Sequence, residues 1–128
     1  MKKILLIDDS DTYTWCLKIY LQHRGYPVKT ACTLKEARAA IQEEMPLVVC
    51  CDLDLPDGTA MELFHTLRRV AGMFQMKNPP VRLLPFFILT ENNDPATEYE
   101  YRHEGVNDYI TAPVNIPELI RRVLFFVE

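Results

Sequence analysis

The residues of this chain best equipped for chemistry are carboxylates, gathered at two places. Asp8 and Asp9 follow the apolar run Ile4–Ile7 in "ILLIDDS" (4–10), and Asp52, Asp54 and Asp57 fall within six residues in "VVCCDLDLPDGT" (48–59). A carboxylate can serve as a nucleophile or as a ligand to a hard cation. Several of them brought to one pocket repel one another, and a chain tolerates that when a cation sits among them. Carboxylate oxygens together with waters suit Mg²⁺, which takes few protein ligands and keeps part of its hydration shell. Asp8, Asp9 and Asp52 thus form a candidate divalent-metal site, provided that the two runs end side by side. The bland alternative for any one strand-end aspartate is a helix cap.

What must position these acids is a regular alternation of elements. "KILLID" (3–8) reads as a buried strand, and 11–24 as a helix with Trp15, Leu17, Ile19, Tyr20 and Leu21 as its apolar content, ended by Gly25. "PVKTA" (27–31) reads as a short strand. Thr33 to Glu36 is a capping box that opens a helix running to about Glu44, stopped by Pro46. "LVVCCDL" (47–53) is the next strand, 53–57 a loop, and 58–71 a third helix. "PFFILT" (85–90) and "DYIT" (108–111) complete the strands. Between them Asp94 caps a helix with Pro95 in its first turn and Gly105 at its end, and Asn115 caps a last helix to Val127.

This is βα repeated five times, an α/β class with a doubly wound parallel sheet covered on both faces, which explains the near-continuous apolar strands. Such sheets bind ligands beyond the carboxyl ends of their strands. Asp8, Asp9, Asp52 and Thr90 all fall at such ends. The segment 72–84, "GMFQMKNPPVRLL", is long for a connection and reads as an extended loop or a partner-binding insert.

Composition narrows the function. The chain has 128 residues, 48% hydrophobic and 25% charged, enough for one domain with one core. A net charge of −4 argues against a direct nucleic-acid contact, and no run is long enough to span a bilayer. The apolar stretch near the start is too short for a signal peptide. The cysteines Cys16, Cys32, Cys50 and Cys51 show no metal spacing. Cys16, Cys50 and Cys51 lie in apolar patterns, so they are expected to be buried, reduced thiols, which places the chain in the cytoplasm. No phosphate-binding glycine motif is present to suggest a nucleotide site.

Four separated pieces, "ILLIDDS" (4–10), "VVCCDLDLPDG" (48–58), "FILT" (87–90) and "GVNDYITAP" (105–113), occur in order on the expected elements. With them the chain resembles a response-regulator receiver domain of two-component signalling over essentially its whole length, 1–128. The resemblance implies a flavodoxin-like five-stranded parallel sheet in the order 2-1-3-4-5. It implies that Asp52 is the phosphoacceptor, that Asp9 binds Mg²⁺ or another divalent cation with help from Asp8, and that Asp54 contributes its backbone carbonyl. Thr90 would hydrogen-bond the phosphoryl group and Tyr109 would be the switch aromatic. The Ala112–Pro113 peptide bond is expected to be cis, as the corresponding bond in the family often is. The implied partners are a sensor histidine kinase or phosphotransfer protein and an unknown downstream target, with a homodimer through helix 4, strand 5 and helix 5 as a further expectation. Any enzymatic activity would be limited to self-phosphorylation from a phosphodonor and autodephosphorylation.

Two residues depart from the family pattern. Ala112 stands where the family places a lysine beside the phosphoryl group, so the pocket keeps its acids and loses its organic cation. Glu91 follows Thr90 where receivers usually carry a small residue. A competing reading follows: a phosphorylation-independent receiver-like interaction module, using Tyr99, Tyr101, Tyr109, Phe125 and Phe126 on the last helix-strand-helix face. A third, a phosphatase of the haloacid-dehalogenase type built on the D-x-D of Asp52 and Asp54, is disfavoured because that motif should follow the first strand, whereas Asp52 follows the third; sustained turnover of a phosphate ester would revive it.

Overall fold

The computed structural model describes residues 2–9, 11–75, 84–112 and 115–127. Its elements run β1 (Ile4–Ile7), α1 (Asp11–His23), β2 (Val28–Ala31), α2 (Leu34–Glu43), β3 (Val48–Cys51), β4 (Asp54–Leu55), β5 (Gly58–Thr59), α3 (Ala60–Gln75), β6 (Phe86–Thr90), α4 (Pro95–Glu104), β7 (Asp108–Thr111) and α5 (Ile116–Val127). The main sheet is parallel in the order β2-β1-β3-β6-β7. Counted along the chain, those five strands have the expected order 2-1-3-4-5.

Strand periodicity divides the core. Leu5, Ile7, Val49, Cys51, Phe86 and Ile88 face one side, where Leu34 and Ala37 of α2, Leu63 and Phe64 of α3 and Tyr101 of α4 cover them. Their alternates Ile4, Leu6, Val48, Cys50, Phe87 and Leu89 face the other side, against Leu17 and Leu21 of α1 and Leu119, Ile120, Val123 and Leu124 of α5. Each large side chain so buried contributes about 1.5–3 kcal/mol, which is why the strands carry almost no polar residue before their ends. Cys50 and Cys51 therefore point to opposite faces of the sheet and cannot bond to each other.

Local signals act as the sequence suggests at four helix ends. The Glu36 N–H donates to Thr33 Oγ1 at 3.0 Å and the Cys32 N–H to Glu36 Oε2 at 3.0 Å. Asp94 caps α4, and Gly105 ends it in the left-handed region at φ 105°. The Glu118 N–H donates to Asn115 Oδ1 at 3.1 Å at the start of α5.

Several expectations are corrected. The loop expected at 53–57 is a two-stranded antiparallel hairpin, Asp54 opposite Thr59 and Leu55 opposite Gly58. The third helix starts at Ala60 rather than 58 and runs on to Gln75, taking the first residues of the 72–84 segment. Residues 76–83 of that segment, and Pro113 of the expected cis bond, lie outside the described residues. Cys16 is exposed, not buried, because it falls on the solvent side of α1 with Trp15 (62% exposed). No helix among the described residues is long and apolar enough to cross a membrane.

Candidate functional site

The carboxyl edge of the sheet gathers the acids. β1 and β3 are neighbours with Ile7 opposite Cys51, so the residues that follow emerge together. The ladder continues one step further: the Asp52 N–H donates to the Ile7 carbonyl at 2.9 Å and the Asp8 N–H to the Ala31 carbonyl at 3.0 Å. Asp8, Asp9 and Asp52 each bring a carboxylate oxygen within 4.8 Å of the other two. Asp8 and Asp52 are half-buried and Asp9 is exposed. Two oxygens across an octahedral Mg²⁺ stand roughly 4.2 Å apart, so small side-chain adjustments, or one bridging water, let the three share one ion.

Asp52 is held by its own neighbourhood. The Leu53 N–H donates to Asp52 Oδ1 at 2.8 Å, and the Cys51 thiol lies 3.2 Å from the Asp52 carbonyl oxygen. Burial, followed by the charges of Asp8, Asp9 and Asp54, pushes the Asp52 carboxyl up to about 6, against the pull of the Leu53 hydrogen bond. A divalent cation among these groups would reverse that push and leave Asp52 ionised.

The next strand brings Thr90 to the same edge. Ile88 pairs with Cys51, so Thr90 ends β6 beside the acids, 7% exposed. Its hydroxyl accepts the Asn92 N–H at 3.0 Å, which leaves its own proton for an acceptor in the pocket. Tyr109, on β7, is buried with its ring inward and donates its hydroxyl to the Asn92 carbonyl at 3.2 Å. Thr90 and Tyr109 thus meet on the backbone of one residue, Asn92, at its N–H and at its carbonyl. Asn92 was not singled out in the sequence, because its part is played by its backbone.

The remaining predicted residues fall as follows. Asp54 begins β4 opposite Thr59 and its side chain is exposed. Asp57, which shares the acidic run, faces another way: its two oxygens accept the Leu34 and Lys35 N–H groups at 2.7 and 3.0 Å, capping α2 from a distant loop. Those two hydrogen bonds hold its carboxyl below the usual range. Gly58 allows this approach, since a Cβ there would stand 2.5 Å from Leu34 Cδ1 and 2.7 Å from Glu62 Oε2. Glu91 is exposed. Ala112 donates its N–H to the Thr90 carbonyl at 2.7 Å and offers only a methyl group. Lys3 lines a groove of about 270 Å³ with Lys29, Glu43 and Glu44 at the opposite edge of the sheet, away from the acids.

The aromatic face is partly corrected. Tyr101 and Tyr109 are 6% and 3% exposed and belong to the core, and Phe126 packs edge-on against Phe87. Tyr99 and Phe125 alone of the five project outward. An ion-pair network ties this face together within the chain: Arg102 to Glu98 and Asp108, and Arg122 to Asp108 and Glu118.

The family model described as the response regulator receiver domain matches residues 4–124. The transcriptional regulatory protein KdpE of Mycobacterium tuberculosis is 32% identical over 123 residues, covering 96% of this chain and 50% of its own length. The chain spans about half the length of the curated relatives it matches. Among solved structures, the chemotaxis response regulator CheY4 of Vibrio cholerae superposes with a TM-score of 0.80 at 25% identity, over 98% of both chains. A response regulator protein of Burkholderia pseudomallei, with a phosphorylated aspartic acid, a calcium ion and citrate, shares the fold at a TM-score of 0.74 and 24% identity, over 96% of this chain and 66% of that one.

Proposed function

The chain belongs to the response regulator receiver family, and on that premise we propose that it takes a phosphoryl group on Asp52 with the help of a divalent cation. The observation that carries this reading is the meeting of Asp8, Asp9 and Asp52 within 4.8 Å at the ends of β1 and β3, with Thr90 ending the next strand. Receiver domains bind Mg²⁺ or Ca²⁺ at their phosphorylation site. Here Asp8, Asp9 and Asp52 would hold the ion by their carboxylates and Asp54 by its backbone carbonyl. The ion would supply positive charge where carboxylate and phosphoryl oxygens crowd together.

In the step itself, an ionised Asp52 oxygen attacks phosphorus. The bond to the nitrogen of a donor phosphohistidine, or to the oxygen of a small acyl phosphate, breaks, and the leaving group keeps the electron pair. The Leu53 N–H holds one Asp52 oxygen, which leaves the other to act. Thr90 would donate its hydroxyl proton to the new phosphoryl group. Its other partner, the backbone of Asn92, would then pass the change to Tyr109. The donor would be a sensor histidine kinase or phosphotransfer protein, and the output a partner or second copy on α4, β7 and α5. A reducing cytoplasm suits the chain's free thiols.

Ala112 favours a second reading, in which the same face binds a partner without phosphorylation. A lysine there would make a charge-assisted contact worth about 1.5–3 kcal/mol, or one to two decades in an equilibrium. Intact-mass spectrometry after acetyl phosphate and Mg²⁺ separates the readings. The unaltered chain should gain one phosphoryl group, Asp52→Asn none, and Ala112→Lys should raise the modified fraction or its lifetime about tenfold or more. No adduct on either the unaltered chain or the lysine variant refutes the proposal in favour of the interaction module.

A further inference from the structure

A continuous set of contacts leads from Asp52 away from the pocket and back to Thr90. It starts at Leu53, whose N–H holds Asp52 Oδ1 and whose carbonyl accepts the Ala60 N–H at 2.9 Å, at the first turn of α3. The N–H groups of that turn have no partner inside their own helix. The Glu62 N–H goes to Thr59 Oγ1 at 3.4 Å, and the Met61 N–H goes to the hydroxyl oxygen of Tyr101 at 3.3 Å, forty residues away on α4. The Tyr101 ring then packs at 6.0 Å and 52° on the ring of Tyr109. Tyr109 reaches the Asn92 carbonyl, and the Asn92 N–H reaches Thr90.

We propose that Tyr101 is a positioning residue that couples the carboxylate pocket to Tyr109 and α4. The proposal rests on the receiver reading above. With alanine at 112, no cationic side chain at that position ties the pocket to the switch. The Tyr101 hydroxyl takes over by fastening α4 to the turn that follows the phosphoacceptor. A shift of Leu53 or of the β4–β5 hairpin then moves the first turn of α3, and with it the phenol against which Tyr109 rests. Burial, and then the charge of Asp54, push the Tyr101 hydroxyl up to about 12, against the pull of the Met61 hydrogen bond. It therefore stays a neutral phenol across the physiological range, inside the field of the acids. Tyr101 touches no reacting atom, so it acts only through Tyr109 and α3.

The test uses the whole chain, Mg²⁺ and beryllofluoride as the phosphoryl mimic, read by backbone amide NMR. Tyr101→Phe keeps the ring and removes the hydroxyl. In the variant the Leu53 and Asp54 amides should respond to the mimic as in the unaltered chain. The responses of Tyr109, Glu98 and Arg102 should fall about two- to tenfold, the effect of one net hydrogen bond on an equilibrium. Tyr99→Phe, exposed on the same helix, should keep the full response. A full α4 and Tyr109 response in Tyr101→Phe overturns the proposal and leaves the receiver reading standing. No response at Leu53 in the unaltered chain brings down that reading, and this proposal with it. Should Tyr101→Phe fail to fold, hydrogen exchange on the unaltered chain decides. The Met61 and Tyr109 amides must change protection together when the mimic binds, and independent changes overturn the coupling.

Discussion

Replacing Asp52 by asparagine should make the metal-free protein more stable. The Asp52 carboxyl titrates near 6 rather than 3.8, because burial and the charges of Asp8, Asp9 and Asp54 disfavour its ionised form. Two units correspond nominally to about 3 kcal/mol of folding free energy lost when the group ionises. The group is about half exposed to solvent, and screening reduces the effect to about 1–2 kcal/mol. Between about pH 4 and 6 the folded chain binds more protons than the unfolded one, so its stability falls as pH rises through that window. Asp52→Asn removes both the titration and the repulsion, and its Oδ1 can still accept the Leu53 N–H. At pH 7.5 in EDTA its Tm should lie roughly 3–8 °C above that of the unaltered chain, and the two should converge near pH 4. Saturating Mg²⁺ should reverse the order, since a ligand at a hundredfold excess over its Kd stabilises by about 2.7 kcal/mol and the variant loses one of its ligands. Differential scanning calorimetry across pH 4–8, with and without Mg²⁺, reads all of this. An asparagine variant no more stable than the parent in EDTA would refute the electrostatic account of the pocket.

Other perturbations probe the scaffold. Asp57→Ala should lower Tm at neutral pH and flatten the acid limb of the stability curve. A carboxyl held below 3.8 contributes stability that is present above that value and lost as pH falls through its folded one. Unchanged acid unfolding would argue against the cap on α2. Gly58→Ala forces a methyl group toward the buried Leu34 side chain and should cost about 1–3 kcal/mol in urea titration, while a neutral result would mean that the hairpin shifts freely. Thiol titration of the folded chain should show Cys16 and Cys32 reacting quickly, with Cys50 and Cys51 reacting only on unfolding. Burial pushes the Cys50 thiol up to about 12, and fast modification of all four would contradict the packing of β3.

Much of the molecule was legible along the chain because its signals are local. Apolar runs of four or five residues ending at Asp8, Asp52 and Thr90 mark strands buried on both faces, and Thr33, Asp94, Gly105 and Asn115 mark helix ends through their own side chains or backbone. The motifs spread along the chain point to the receiver family, and the family match agrees. What the sequence could not settle depends on pairings between distant residues. Asp54 and Asp57 look alike in one acidic run, yet Asp57 caps α2, because only the folded hairpin brings it to the N–H groups of Leu34 and Lys35. Tyr101, counted with an aromatic face, proved to be core, because the direction in which α4 faces the sheet is fixed by packing rather than by composition. Residue types and their spacing therefore determined which groups reach the carboxyl edge of the sheet. Strand register and helix docking, which sum many weak contacts between remote segments, decided which of those groups touch.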